Sequence, residues 1–88
     1  MRIELKKFGD ILASRPAGKE AYLSAKAYSL PKDPEEKIEI DFSGVHVLTP
    51  SWADEFLRPL FQDFPGQVIL LPASNASVKA TLEILGLD

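Results

Sequence analysis

Two spacings of apolar residues alternate along this chain. Where apolar and polar residues take turns, a half-buried strand is implied; where apolar residues recur every three or four positions, a helix is. Ile3-Glu4-Leu5-Lys6 follows the first pattern. Phe8-Gly9-Asp10 reads as a turn and Ile11-Leu12 as a returning strand, so the N-terminus predicts a β-hairpin. Ser14 stands where it can cap a helix over residues 17–30, with Pro16 tolerated in the first turn and Gly18 weakening it. Pro31 and Pro34 stop that helix, and the charged run from Asp33 to Lys37 reads as a solvated loop.

Lys37-Ile38-Glu39-Ile40-Asp41-Phe42 is the clearest strand, with Ile38, Ile40 and Phe42 on one face and Glu39 and Asp41 on the other. After Ser43-Gly44, Val45-His46-Val47-Leu48 turns apolar again. A second helix follows Thr49-Pro50-Ser51, with Trp52, Phe56 and Leu60, joined by Leu57 and Phe61, as its buried stripe. Pro59 interrupts the stripe and predicts a kink or break. Phe64-Pro65-Gly66 is a turn, and Gln67-Val68-Ile69-Leu70-Leu71 is a short strand whose continuous apolar run implies burial on both faces. Ser74 or Asn75 caps a last helix carrying Val78, Leu82 and Leu85, with Gly86 as its stop. The expectation is therefore a single α/β domain over residues 1–88: an N-terminal β-hairpin, then α-β-α-β-α, with a mixed sheet covered by helices mainly on one face.

Composition restricts the chemistry more than it suggests any. A hydrophobic fraction of 45% supports a small core, and a domain of this size is expected to hold on the order of 5 kcal/mol of stability. The net charge of −3 lacks the basic footprint of a nucleic-acid binder. No cysteine is present, which removes disulfides, thiolate metal sites and cysteine nucleophiles. The opening residues do not resemble a signal peptide, and no apolar run approaches the ~20 residues of a membrane span, so a soluble cytoplasmic protein is expected. His46 is the single histidine, and it lies in an apolar, strand-like segment without a neighbouring acid–base constellation. No spacing suits a metal, and Ala17-Gly18-Lys19-Glu20 lacks both the upstream glycine and the hydroxyl residue of a phosphate loop. Neither an enzyme nor a cofactor-dependent protein is expected.

Two places carry a functional reading. Arg15, a cation at a helix N-terminus, is locally unfavourable, so it reads as a contact for an anion or acidic partner, as a solvated surface arginine, or as a member of a local ion pair. The Thr49-Pro50-Ser51 junction permits two registers. In one, Thr49 caps the helix and Pro50 is its first residue, leaving the Ser51 hydroxyl free; in the other, Ser51 is the cap, with Asp54 in the third position of an approximate capping box. Asp54 and Glu55 favour the helix start in both. Trp52 is an anchor for a partner if exposed and core if buried.

The chain resembles the bacterial STAS-like family of unknown function, related in fold to the STAS anti-sigma-factor antagonists. The likeness rests on Ser14-Arg15, on Asp41-Phe42-Ser43-Gly44-Val45 and on Ser51-Trp52-Ala53-Asp54-Glu55, and it spans residues 11–85. Anti-sigma-factor antagonists carry a phosphorylatable serine in an Asp-Ser-Ser-Gly stretch. By position, Thr49 stands at the Asp, Pro50 at the first Ser, Ser51 at the second and Trp52 at the Gly, so Ser51 alone is retained in kind. Set against many STAS domains, a final strand and helix after the helix containing Leu82 are expected to be absent. The resemblance implies a non-enzymatic interaction module in signalling or transcription control, with a histidine-kinase-like ATPase or a helix-turn-helix regulator as partner, and no direct contact with nucleic acid or membrane. Ser51 and Thr49 are the candidate switch residues, and Arg15, Trp52, Asp54 and Glu55 the candidate contact residues. The alternative is a small-molecule or anion-binding module using the helix N-termini near Arg15 and Ser51.

Overall fold

The computed structural model describes residues 1–87. Five short strands and three helices follow in the order β1 (Arg2–Glu4), β2 (Ile11–Leu12), α1 (Arg15–Tyr28), β3 (Ile38–Asp41), β4 (Val47–Leu48), α2 (Pro50–Asp63), β5 (Val68–Leu70) and α3 (Ala76–Leu85), with a 3₁₀ turn at Leu5–Phe8 between the first two strands. The α/β class is as expected, but the N-terminal hairpin does not form. β1 pairs in parallel with β3, setting Ile3 beside Ile40, whereas β2 pairs in parallel with β4, setting Leu12 beside Leu48. The 3₁₀ turn, which takes up Leu5, carries the chain away from one sheet to start another. Asp10 then receives the amides of His46 and Val47, at 2.7 and 3.1 Å, and so ties β2 to β4 instead of to β1. Parallel partners require a long crossover, which α1 and its following loop supply.

The main sheet has the order β1-β3-β5, and all pairings among the described strands are parallel, so the sheet is not mixed. The helices nonetheless lie mainly on one face. Ile3, Ile38 and Ile40 are buried beneath them, while Arg2, Glu4 and Ile69 are exposed on the other side. On that open face Arg2 lies 3.5 Å from Glu39 and 3.9 Å from Asp41. The expectation that β5 is buried on both faces fails here: it is an edge strand, and Ile69 is 42% exposed. An apolar run cannot report which side of a strand will find a neighbour.

α2 runs through Pro59 to Asp63, so the anticipated break does not occur. Proline costs one helical hydrogen bond, but Phe56, Leu57 and Leu60 on either side of it are fully buried and hold the helix to the core. The aromatic part of that core is continuous. Trp52 stacks on Phe56 with ring centres 5.0 Å apart, Tyr22 meets Phe56 edge-on at 5.9 Å, and Phe8 from the 3₁₀ turn contacts both Trp52 and Phe56. α3 begins at Asn75, whose side chain accepts from the Val78 amide at 3.1 Å, and ends at Gly86 in the left-handed conformation. Its Thr81 hydroxyl donates to the Leu48 carbonyl, which anchors the helix on β4.

Candidate functional site

The junction before α2 adopts the first of its two registers. Thr49 is the N-cap: its Oγ1 accepts from the Trp52 amide at 3.3 Å, and Pro50 is the first helical residue. The same hydroxyl donates to the Ala13 carbonyl at 2.6 Å, and the Thr49 amide donates to Leu12 at 2.9 Å. Thr49 therefore fastens α2 to the end of β2, and its hydroxyl is already engaged both as donor and as acceptor. As a modification site it is a correction to the sequence reading, because a phosphate there would remove the cap. Ser51 lies in the first turn, half-buried, and its hydroxyl has no hydrogen bond among the described residues.

α1 starts beside this junction. Ser14 caps it by accepting from the Ala17 amide at 3.2 Å, and Arg15 is its first residue. Arg15 Nη1 reaches Asp54 Oδ2 at 2.8 Å and Glu55 Oε1 at 3.5 Å, and Arg58 Nε reaches Asp54 Oδ1 at 2.6 Å. Two arginines and two carboxylates thus share one partly exposed surface. The unfavourable position of Arg15 at a helix N-terminus is offset by two acids from the neighbouring helix. Those hydrogen bonds, from Arg15 first and Arg58 next, hold the Asp54 carboxyl below the usual carboxylate range; the Asp54 bond in turn raises the Arg15 guanidinium. Arg58 was not singled out in the sequence, although its spacing four residues after Asp54 is the ordinary signature of a helical ion pair.

The close approach of the two helices depends on Gly18, whose local effect is only to weaken the first turn of α1. A Cβ on Gly18 would lie 2.5 Å from the Trp52 carbonyl oxygen and 3.0 Å from its Cα. Glycine lets the first turn of α1 rest on the backbone of α2, which brings Arg15 over Asp54 and Glu55. Trp52 itself is 1% exposed and stacked on Phe56, so it is core and cannot anchor a partner, which corrects its place among the contact residues. Arg15, Asp54 and Glu55 do come together, with Ser51 one helical turn before the two acids.

The sequence from residue 18 to residue 84 matches the STAS-like domain of unknown function (DUF4325). The chain belongs to that family. Comparison with curated proteins and with solved structures returned no match. Of the stretches that carry the likeness, Ser14-Arg15, ahead of the matched residues, and Ser51 to Glu55, within them, turn out to be one structural unit, joined by the Arg15 ion pairs and by the contact of Gly18 with Trp52. The third, Asp41 to Val45, is a turn: Asp41 Oδ1 accepts from the Ser43 amide at 2.9 Å, and Gly44 takes φ of +84°. In this STAS-like domain His46 is exposed, and among the described residues only its backbone is hydrogen-bonded, the amide donating to Asp10 at 2.7 Å and the carbonyl accepting from Asn75 Nδ2 at 3.1 Å. Among the described residues no group of three or more His, Cys, Asp or Glu is placed to hold a metal, and no helix is long and apolar enough to cross a membrane.

Proposed function

We propose that this domain is a protein-interaction module acting without catalysis in signalling or transcription control, with the start of α2 as its contact surface and Ser51 as the residue that switches it. The observation that carries this reading is the division of labour at the junction. Thr49 does the capping, so the Ser51 hydroxyl is left without a structural duty. A phosphate on Ser51 would add nearly two negative charges at a helix N-terminus, where the macrodipole favours them. It would stand on the same helical face as Asp54 and Glu55, three and four residues on. There it competes with both acids for Arg15 and turns a balanced surface into a negative one. Folding is retained while the potential presented to a partner changes. By family resemblance the partner is a histidine-kinase-like ATPase or a helix-turn-helix regulator. The anion-binding alternative has less support, since Arg15, the cation it needs, is bonded to two carboxylates.

The test is affinity capture from the native cells with wild type and Ser51→Asp, read by mass spectrometry together with the phosphorylation state of the Ser51 peptide. A partner held by wild type and released by Ser51→Asp at unchanged melting temperature is the expected result. The same partner on both proteins, or Ser51 never found modified, would sink the switch.

A further inference from the structure

The two edges of the main sheet are protected unequally. β1 carries Arg2 and Glu4, charges of the kind that discourage a foreign strand. β5, at the other edge, reads Val68-Ile69-Leu70 and carries none. Gln67 accepts from the Ile38 amide at 2.7 Å, and the Leu71 amide donates to Ile40 at 3.0 Å, so the odd-numbered residues of this segment turn their backbone groups toward β3. Val68 and Leu70 therefore turn theirs outward, where they have no hydrogen bond among the described residues. Beside this open edge lies an apolar groove of about 570 Å³ walled by Phe61, Val68, Leu70, Leu71, Leu82 and Leu87. Lys79 and Glu83, one turn apart on α3, stand along it, and neither is in an ion pair among the described residues.

We propose that this edge receives β5 of a second copy of the chain, antiparallel and related by a two-fold axis at Ile69. In that register Val68 faces Leu70 of the other copy on both sides of the axis, and each such pair exchanges both of its outward backbone bonds. The two Ile69 side chains, 42% exposed in the single chain, become a close non-hydrogen-bonded pair on the open face of one continuous sheet. An axis perpendicular to the sheet leaves the helices of both copies on one side, with the two α3 helices antiparallel across the joined grooves. Lys79 of each copy then meets Glu83 of the other. A ligand or strand of single charge would match only one of these two residues, whereas a second copy matches both. This surface excludes Ser51 and the Arg15 cluster, so it stands or falls separately from the switch.

The mass of the chain is measured by sedimentation equilibrium from about 10 μM to about 1 mM, the range of small transient interfaces. Amide hydrogen exchange is followed by NMR in the same samples. The mass is expected to climb from 9.7 kDa toward twice that value, with the Val68 and Leu70 amides gaining protection in step. Lys79→Glu turns two attractions into repulsions and is expected to weaken the dimer about tenfold; Lys79→Glu combined with Glu83→Lys restores it. Ile69→Lys, which sets two like charges face to face, also yields monomer. All three positions are exposed, and circular dichroism checks that the variants keep their fold. A wild-type chain that stays monomeric overturns the proposal, as does a dimer indifferent to Lys79→Glu. A synthetic peptide of alternating valine and threonine that protects both amides in a chain that never dimerises also overturns it, and assigns the edge to a heterologous strand.

Discussion

Replacing Gly18 with alanine sets two familiar effects against each other. In a helix interior alanine is favoured over glycine by about 1 kcal/mol, because glycine has more backbone freedom to lose. At this position the added methyl would lie 2.5 Å from the Trp52 carbonyl oxygen and 3.1 Å from its carbonyl carbon. The obstacle is backbone, not a side chain that can swing aside. Nor can α2 recede easily: Thr49 bonds it to β2, and Trp52 is stacked into the aromatic core. Overpacking of this kind costs about 1–3 kcal/mol, and contact with fixed backbone belongs at the upper end. The net loss is about 2 kcal/mol, which lowers the melting temperature by about 8–16 °C in a domain of this size. Thermal and urea unfolding followed by circular dichroism and by the fluorescence of the single tryptophan measures it. Ser24→Ala, at an exposed position of the same helix, should change stability little and mildly upward. Because the methyl pushes the helices apart, Arg15→Ala should also cost less in the Gly18→Ala background than in wild type. A Gly18→Ala protein as stable as wild type or more so, with Arg15→Ala costing the same in both, would refute the close-packing account.

Other expectations follow from the same contacts. Thr49→Ala should lose about 1 kcal/mol or more in urea unfolding, whereas Ser51→Ala should stay within about 0.5 kcal/mol of wild type; equal losses would mean that Ser51 shares the capping. The Asp54 carboxyl is held down by Arg15 and Arg58, so its contribution is present above the usual carboxylate range and is lost as pH falls through its lowered value. Wild type and Asp54→Asn should therefore differ in melting temperature at pH 7 and converge near pH 2. The Tyr22 hydroxyl donates to Asp63 at 2.5 Å, and partial burial followed by that bond to a carboxylate pushes the phenol upward. A raised value means stability that is present below the ordinary tyrosine value of about 10 and is lost as pH rises beyond it. Tyr22→Phe should thus be less stable than wild type at pH 8, with the gap narrowing in strong alkali; a gap that stays constant would remove the bond from the account.

What could be read from the residues in order was whatever neighbours within about four positions decide. Ser14 as a cap, Ser74 or Asn75 as another, Pro31 as a stop, Gly86 as a left-handed terminus and the buried stripe of Trp52, Phe56 and Leu60 all follow from local hydrogen bonding and helical spacing, and the structure takes Asn75 of the two. The junction at Thr49-Pro50-Ser51 was half legible. Two caps suited the local sequence, and what selected Thr49 is its bond to Ala13, 36 residues earlier.

Strand pairing was beyond the reach of such reasoning. Ile3 and Ile11 read as a hairpin because a turn signal separates them, yet each found a parallel partner that only the crossover through α1 brings near. Arg15 looked misplaced and Gly18 looked weak for the same reason. The residues that justify them, Asp54 and Trp52, lie on the other helix, and Arg15 and Asp54 are 39 positions apart. The sequence by itself determined the order of helices and strands in outline, most of the helix ends and the family. The tertiary structure alone decided which strands meet, which cap is used, and that a glycine and an arginine at the start of α1 position the surface at the start of α2. Backbone propensity acts over a few residues, whereas packing and ion pairing act between whatever the folded chain brings together.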